Sequence, residues 1–194
     1  MGFLRGDQFC VGLALIIDGD IQLGVLGCPN LPVDLKAPEG ERECLFVAIK
    51  GQGAFQHKFS STEEIQIHMA DISSPSVASF CESVETSHSL HDDAAKIASL
   101  LGITKQPLRI DSMCKYCAVA RGYADIYLRL PVRPDYEENI WDHAAGCVLI
   151  NEAGGTVADI YNKPLDFSLG RTLKSNKGVM VAHSKIFGQV IDAV

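Results

Sequence analysis

The chain has 194 residues, 47% hydrophobic and 21% charged, with a formal net charge of -7. That length can bury a core, and the balance is that of a globular protein rather than a disordered one. The negative charge argues against a protein that coats nucleic acid or an anionic membrane, and no apolar run is long enough to span a bilayer.

Met1-Gly2-Phe3-Leu4-Arg5-Gly6-Asp7 lacks the basic-then-apolar order of a signal peptide. Residues 9 to 17 form an apolar run closed by Asp18-Gly19-Asp20, and a second run from Ile21 to Leu26 follows at once, which predicts a hairpin. After a Pro-containing loop, Cys44 to Ile49 and Gly53 to Gln56 predict another hairpin, and Ile65-Gln66-Ile67 a short strand. These strands read as buried on both faces, yet residues 1–72 offer no helix to cover either. The expectation is a partial antiparallel sheet whose covering elements lie before Met1, with apolar sheet surface left exposed.

From Ser73 the pattern changes. Strands are predicted at Val77 to Cys81, Leu108 to Ile110, Ala124 to Leu128, Thr156 to Ala158 and Val179 to Ala182. Helices are predicted at His91 to Leu101, Ser112 to Arg121, from Trp141, and from Ser184. The alternation makes residues 73–194 a complete α/β domain. Seven cysteines at irregular spacing fit reduced thiols in a cytoplasmic protein, and Cys114-Lys115-Tyr116-Cys117 lacks the second pair that a zinc site needs.

Three helix starts carry residues suited to an anion. In Glu85 to Asp92, Ser89 with Asp92 makes a capping box, while His88 stands outside the helix where an imidazole meets a bound ring or solvent. At the second, Asp111 or Ser112 is a candidate N-cap and Lys115 a cation opposed by the helix dipole, which a bound phosphate would justify. At the strand end Leu128-Arg129-Leu130-Pro131, Arg129 needs either a carboxylate or a phosphate. The helix after Trp141, the only tryptophan, is apolar around its circumference and closes on Gly154-Gly155. Asp142 in its first turn either answers the dipole behind an Asn139 cap or is a carboxylate at a buried helix start, placed to bind a hard cation or a substrate hydroxyl.

Trp141-Asp142-x-Ala144-Ala145-Gly146 followed by Ala153-Gly154-Gly155 resembles the C-terminal signature of the lithium-sensitive, Mg-dependent phosphatases of the inositol monophosphatase superfamily. Gly2-Phe3-Leu4-Arg5-Gly6, His88-Ser89-x-His91-Asp92, Asp111-Ser112-x-x-Lys115-Tyr116, Tyr127-Leu128-Arg129-Leu130-Pro131 and Pro164-Leu165-Asp166-Phe167 narrow the resemblance to the 3'(2'),5'-bisphosphate nucleotidases, over residues 2 to about 183. The resemblance implies an α/β fold of the inositol monophosphatase type, an α+β sandwich. It implies hydrolysis of adenosine 3',5'-bisphosphate, and of 3'-phosphoadenylyl sulfate, by a cytoplasmic monomer using Mg²⁺. It also implies that Asp142 binds the metal and the ribose side of the scissile phosphate, that Ser112 and Lys115 hold the non-scissile 5'-phosphate with Arg129 reinforcing that charge, and that His88 contacts adenine. In the family the metals are also held by a Glu-Glu motif and by Asp-Pro-x-Asp-Gly-Thr, and Gly2 to Gly6 resembles the segment just after the latter, so that only Asp142 is matched among the metal ligands and the expectation is a truncated form with little turnover. The alternatives are an inositol polyphosphate 1-phosphatase and a non-catalytic adenine-nucleotide-binding fragment.

Overall fold

The computed structural model describes residues 2–84, 91–131, 133 and 135–194. Among them the chain forms two five-stranded sheets. The first is an antiparallel meander of β1 (Val11–Ile17), β2 (Asp20–Cys28), β3 (Cys44–Ile49), β4 (Gly53–Lys58) and β5 (Ile65–Gln66), paired in sequence order. Asp18 and Gly19 at the β1–β2 turn have φ of 52° and 81°, the left-handed pair that matches the twist of a two-residue hairpin. Both expected hairpins form, the second opened by Gly53.

The second sheet is mixed. Its order is β7 (Leu108–Arg109), β6 (Phe80–Glu82), β8 (Ile126–Arg129), β10 (Val179–His183), β9 (Gly155–Ala158), with β6 parallel to β7 and β8 and the rest antiparallel. The strand expected at Val77 begins later, because Pro75–Val77 is a 3-10 turn in which Pro75 fixes the first position. The helices are α1 (Gly2–Arg5), α2 (His91–Leu100), α3 (Cys114–Ala120), α4 (Ala144–Glu152) and α5 (Phe187–Ile191).

Alternation along the second sheet separates two cores. Tyr127, Val179 and Val181 face α3, α4 and the first sheet, in one cluster with Leu26, Phe46, Val119 and Leu149. Ile126, Leu128, Met180 and Ala182 face the opposite way, onto Ile97 of α2 and Ile186, Phe187 and Val190 in and before α5. The result is a sheet, a helix layer, a second sheet and a second helix layer, an α/β fold.

Helix α4 is the middle of this arrangement. Residues Ala144 to Ile150 are all buried, as its composition requires, and Gly154 (φ 94°) ends it in the left-handed conformation expected of a C-cap. Small residues let it approach the first sheet: a Cβ on Gly24 would fall 2.5 Å from Val148 Cγ1 and 2.7 Å from the Ala145 carbonyl. Gly24→Ala should therefore cost about 1–3 kcal/mol by overpacking, read as a lower denaturant midpoint at unchanged slope.

The apolar sheet surface expected to be left exposed lies on β1, but the expectation that the chain covers neither face of the first sheet is corrected. One face of the sheet is covered, by α4 from later in the chain, while Val11, Leu13, Leu15 and Ile17 on the opposite face of β1 are 48–68% exposed. An apolar dye sensitive to its surroundings should bind this face, and Leu13→Glu with Leu15→Glu should reduce its signal while leaving the far-UV circular dichroism unchanged.

Candidate phosphate-binding site

A cavity of about 430 Å³ opens where the α1 segment, the start of α3, the end of β8 and the turn before α4 converge. Ser112, Lys115, Arg129 and Asp142 all line it, beside Phe3, Cys10, Tyr127 and Glu138. His88 lies outside the described residues.

Lys115 is the least expected occupant. It is only 6% exposed, donates from Nζ to the Ser112 carbonyl at 3.0 Å, and lies 5.5 Å from the centre of the Tyr127 ring. Among the described residues no carboxylate lies within ion-pair reach of it. Burial pushes the ammonium below its ordinary value, and the nearby Arg129 charge adds to that. A buried cation with no carboxylate in ion-pair reach is costly, and a ligand phosphate would relieve the cost.

The local backbone differs from the expected helix start. α3 begins at Cys114, after Met113, and Ser112 sits in the left-handed region at φ 59°. Its hydroxyl accepts from the Cys114 amide at 3.4 Å, so it caps only loosely, two residues before the helix. The cation at the helix start is thus held by side-chain packing, not by a long helix. Asp111 receives Arg5 of α1 and the Val84 amide, which ties α1 to this wall.

Arg129 takes the carboxylate option. Its Nε donates to Glu138 Oε1 at 2.9 Å, and Glu138 Oε2 lies 3.2 Å from His143 Nε2, whose Nδ1 is 2.7 Å from the Tyr116 hydroxyl. A neutral His143 satisfies every member, with Tyr116 donating to Nδ1 and Nε2–H donating to Glu138. Burial opposes ionisation of Glu138, but the His143 hydrogen bond and the Arg129 charge override it and hold the carboxyl below its usual range. This buried relay joins β8, α3 and the turn before α4. Sequence reasoning missed it, since nothing in Glu137-Glu138 marks the second as 5% exposed and the first as exposed. Only the backbone pairing of Glu138 and Ile140 with Leu173 and Arg171 turns Glu138 inward.

Asp142 ends a 3-10 turn (Ile140–Asp142), and α4 starts at Ala144. The expected buried carboxylate is exposed, and the Asn139 side chain does not cap the turn. Trp141 is half exposed, with the Arg171 guanidinium 4.8 Å from its ring centre. Among the described residues no side chain bonds the Asp142 carboxylate, and no group of three or more His, Cys, Asp or Glu could hold a metal. A magnesium ion needs several oxygen ligands in octahedral array, so the described residues do not by themselves make a Mg²⁺ site. No described helix is long and apolar enough to cross a membrane.

The chain is 49% identical to the 3'(2'),5'-bisphosphate nucleotidase of Emericella nidulans, across all of its own length and 59% of the relative's. It is 47% identical to the Schizosaccharomyces pombe enzyme of the same name, over 99% of this chain and 55% of that one. Thus it spans little more than half the length of the curated relatives it matches. In fold it is similar to the crystal structure of the extragenic suppressor protein SuhB from Bartonella henselae, with a TM-score of 0.71 at 20% identity over 99% of this chain and 65% of that one. With residues 1–194 matching the family throughout, the chain belongs to the inositol monophosphatase family.

Proposed function

We propose that this chain carries the nucleotide-holding wall of a phosphatase that hydrolyses adenosine 3',5'-bisphosphate to AMP and phosphate, and 3'-phosphoadenylyl sulfate to adenylyl sulfate and phosphate. The observation that carries the reading is Lys115, a buried ammonium with no described carboxylate partner, in one cavity with Ser112, Arg129 and Asp142. The relatives' names support the substrate class. In this reading Lys115 and Ser112 hold the non-scissile 5'-phosphate, and Arg129, oriented by Glu138, adds positive field. Asp142 faces the ribose and the scissile group, and His88 meets adenine. Residues 1–72 supply one wall of the cavity and residues 73–194 the phosphate contacts.

Hydrolysis moves the 3'-phosphoryl group from the ribose oxygen to water, and the ribose oxygen leaves as a hydroxyl. The wall described here serves that reaction by fixing the nucleotide, which is where most of the demand of phosphoryl transfer lies besides charge neutralisation. Asp142 would be one ligand of a Mg²⁺ ion, and one carboxylate is too few to hold it. Residues 1–194 alone should therefore hydrolyse adenosine 3',5'-bisphosphate at background rates in the presence of Mg²⁺. A lithium-sensitive turnover comparable to an intact relative's would overturn this. The same deficit favours a second reading, a non-catalytic adenine-nucleotide-binding chain. Calorimetry with AMP, with and without Mg²⁺, tests the shared core of both: saturable binding supports them, and no heat under either condition contradicts them.

A further inference from the structure

We propose that Cys10 and Cys28 form an oxidative modification site, a cross-strand thiol pair in the cavity wall that a hydroperoxide converts to a disulfide. The β1–β2 ladder pairs Val11 with Gly27, so Cys10 and Cys28 oppose each other one position beyond it. Directly opposed antiparallel residues have Cα atoms about 4.5–5.5 Å apart, inside the range of about 4.4–6.8 Å that a disulfide spans. Their sulfurs already lie 3.6 Å apart, so small side-chain rotations close the bond.

Access selects this pair. Cys28 is also 3.7 Å from Cys117, but Cys117 is fully buried in α3. Cys10 is the one cysteine that is not buried, and it lines the cavity. It does not react as a free thiolate, because its hydrogen bond to Cys114 and its burial raise it above the ordinary thiol value.

With hydrogen peroxide the step balances as follows. The Cys10 sulfur bonds one peroxide oxygen, the O–O bond breaks, and the departing hydroxide takes the Cys10 proton to leave as water. The Cys28 sulfur then displaces the hydroxyl of the resulting Cys10 sulfenic acid, which leaves as a second water with the Cys28 proton. Two thiols lose two electrons and two protons, and the peroxide receives both. The bridge pins Gln8 to Cys10, a segment of the cavity wall, against β2.

The test is to treat the reduced full chain with hydrogen peroxide under native conditions, alkylate it, digest it without reductant and map the peptides by mass spectrometry. The expected result is a Cys10–Cys28 linked pair that lacks the mass of two hydrogens, with the other thiols alkylated. Cys10→Ser should abolish the linkage and Cys117→Ser should retain it. If either variant fails to fold, the wild-type map decides alone. Linkage of Cys28 to any other thiol, oxidation of Cys10 without a bridge, or no modification at all overturns the proposal.

Discussion

Lys115→Met should weaken AMP binding by about 3 kcal/mol, roughly a hundredfold in Kd, while leaving the fold as stable as before or more so. Methionine keeps most of the lysine's volume and its apolar stem, so the packing against Tyr127 survives. What disappears is an ammonium whose burial no described carboxylate offsets. Loss of affinity together with a steady or raised melting temperature is what separates a ligand-binding lysine from a structural one.

The pH dependence has a fixed sign. Because burial lowers the folded value of Lys115, the unfolded chain holds more protons between the folded value and the ordinary lysine value. Stability contributed by this group thus rises with pH through that window, while phosphate binding, which needs the ammonium, falls. In a whole enzyme of this type, Lys115→Ala should harm bisphosphate substrates far more than inositol phosphates. Equal loss for both would assign the lysine a general role and favour an inositol polyphosphate 1-phosphatase.

Glu138→Leu should be the most destabilising single change near the cavity, at about 3–5 kcal/mol, because it removes the buried carboxylate that accepts from both Arg129 Nε and His143. For a chain of this size that is a fall in Tm of roughly 10 °C by differential scanning calorimetry. Glu138→Gln keeps one acceptor for Arg129 but sets an amide against Nε2–H, and His143 must then shift its proton to Nδ1. An intermediate loss is expected. Since the Glu138 carboxyl is held below its usual range, its contribution is present above the unfolded carboxylate value and is lost as pH falls through the lower folded one. A wild-type acid transition that Glu138→Leu does not alter would show that the relay contributes nothing.

Much of the fold was legible because local chemistry was strong. Asp18-Gly19 marked its hairpin, Gly154 marked the end of α4, and the unbroken apolar surface of Ala144 to Ile150 demanded a central helix. Element edges were less legible where local and tertiary terms compete. Ser112 looks like an N-cap, yet a left-handed backbone there moves the helix start to Cys114. Asp142 looked buried because its neighbours are apolar, but the 3-10 turn puts it at the surface, at the cavity mouth. Convergence of Ser112, Lys115, Arg129 and Asp142 on one cavity followed from motifs 30 residues apart from end to end. The Tyr116–His143–Glu138–Arg129 relay could not be read in advance, because it depends on a loop crossing, not on any residue pattern.

A crystal structure of the chain soaked with AMP tests the central claim most directly. The expected result is the 5'-phosphate within hydrogen-bonding distance of Lys115 Nζ, with Asp142 on the ribose side. A phosphate bound elsewhere, with Lys115 still turned to the Ser112 carbonyl, would contradict it.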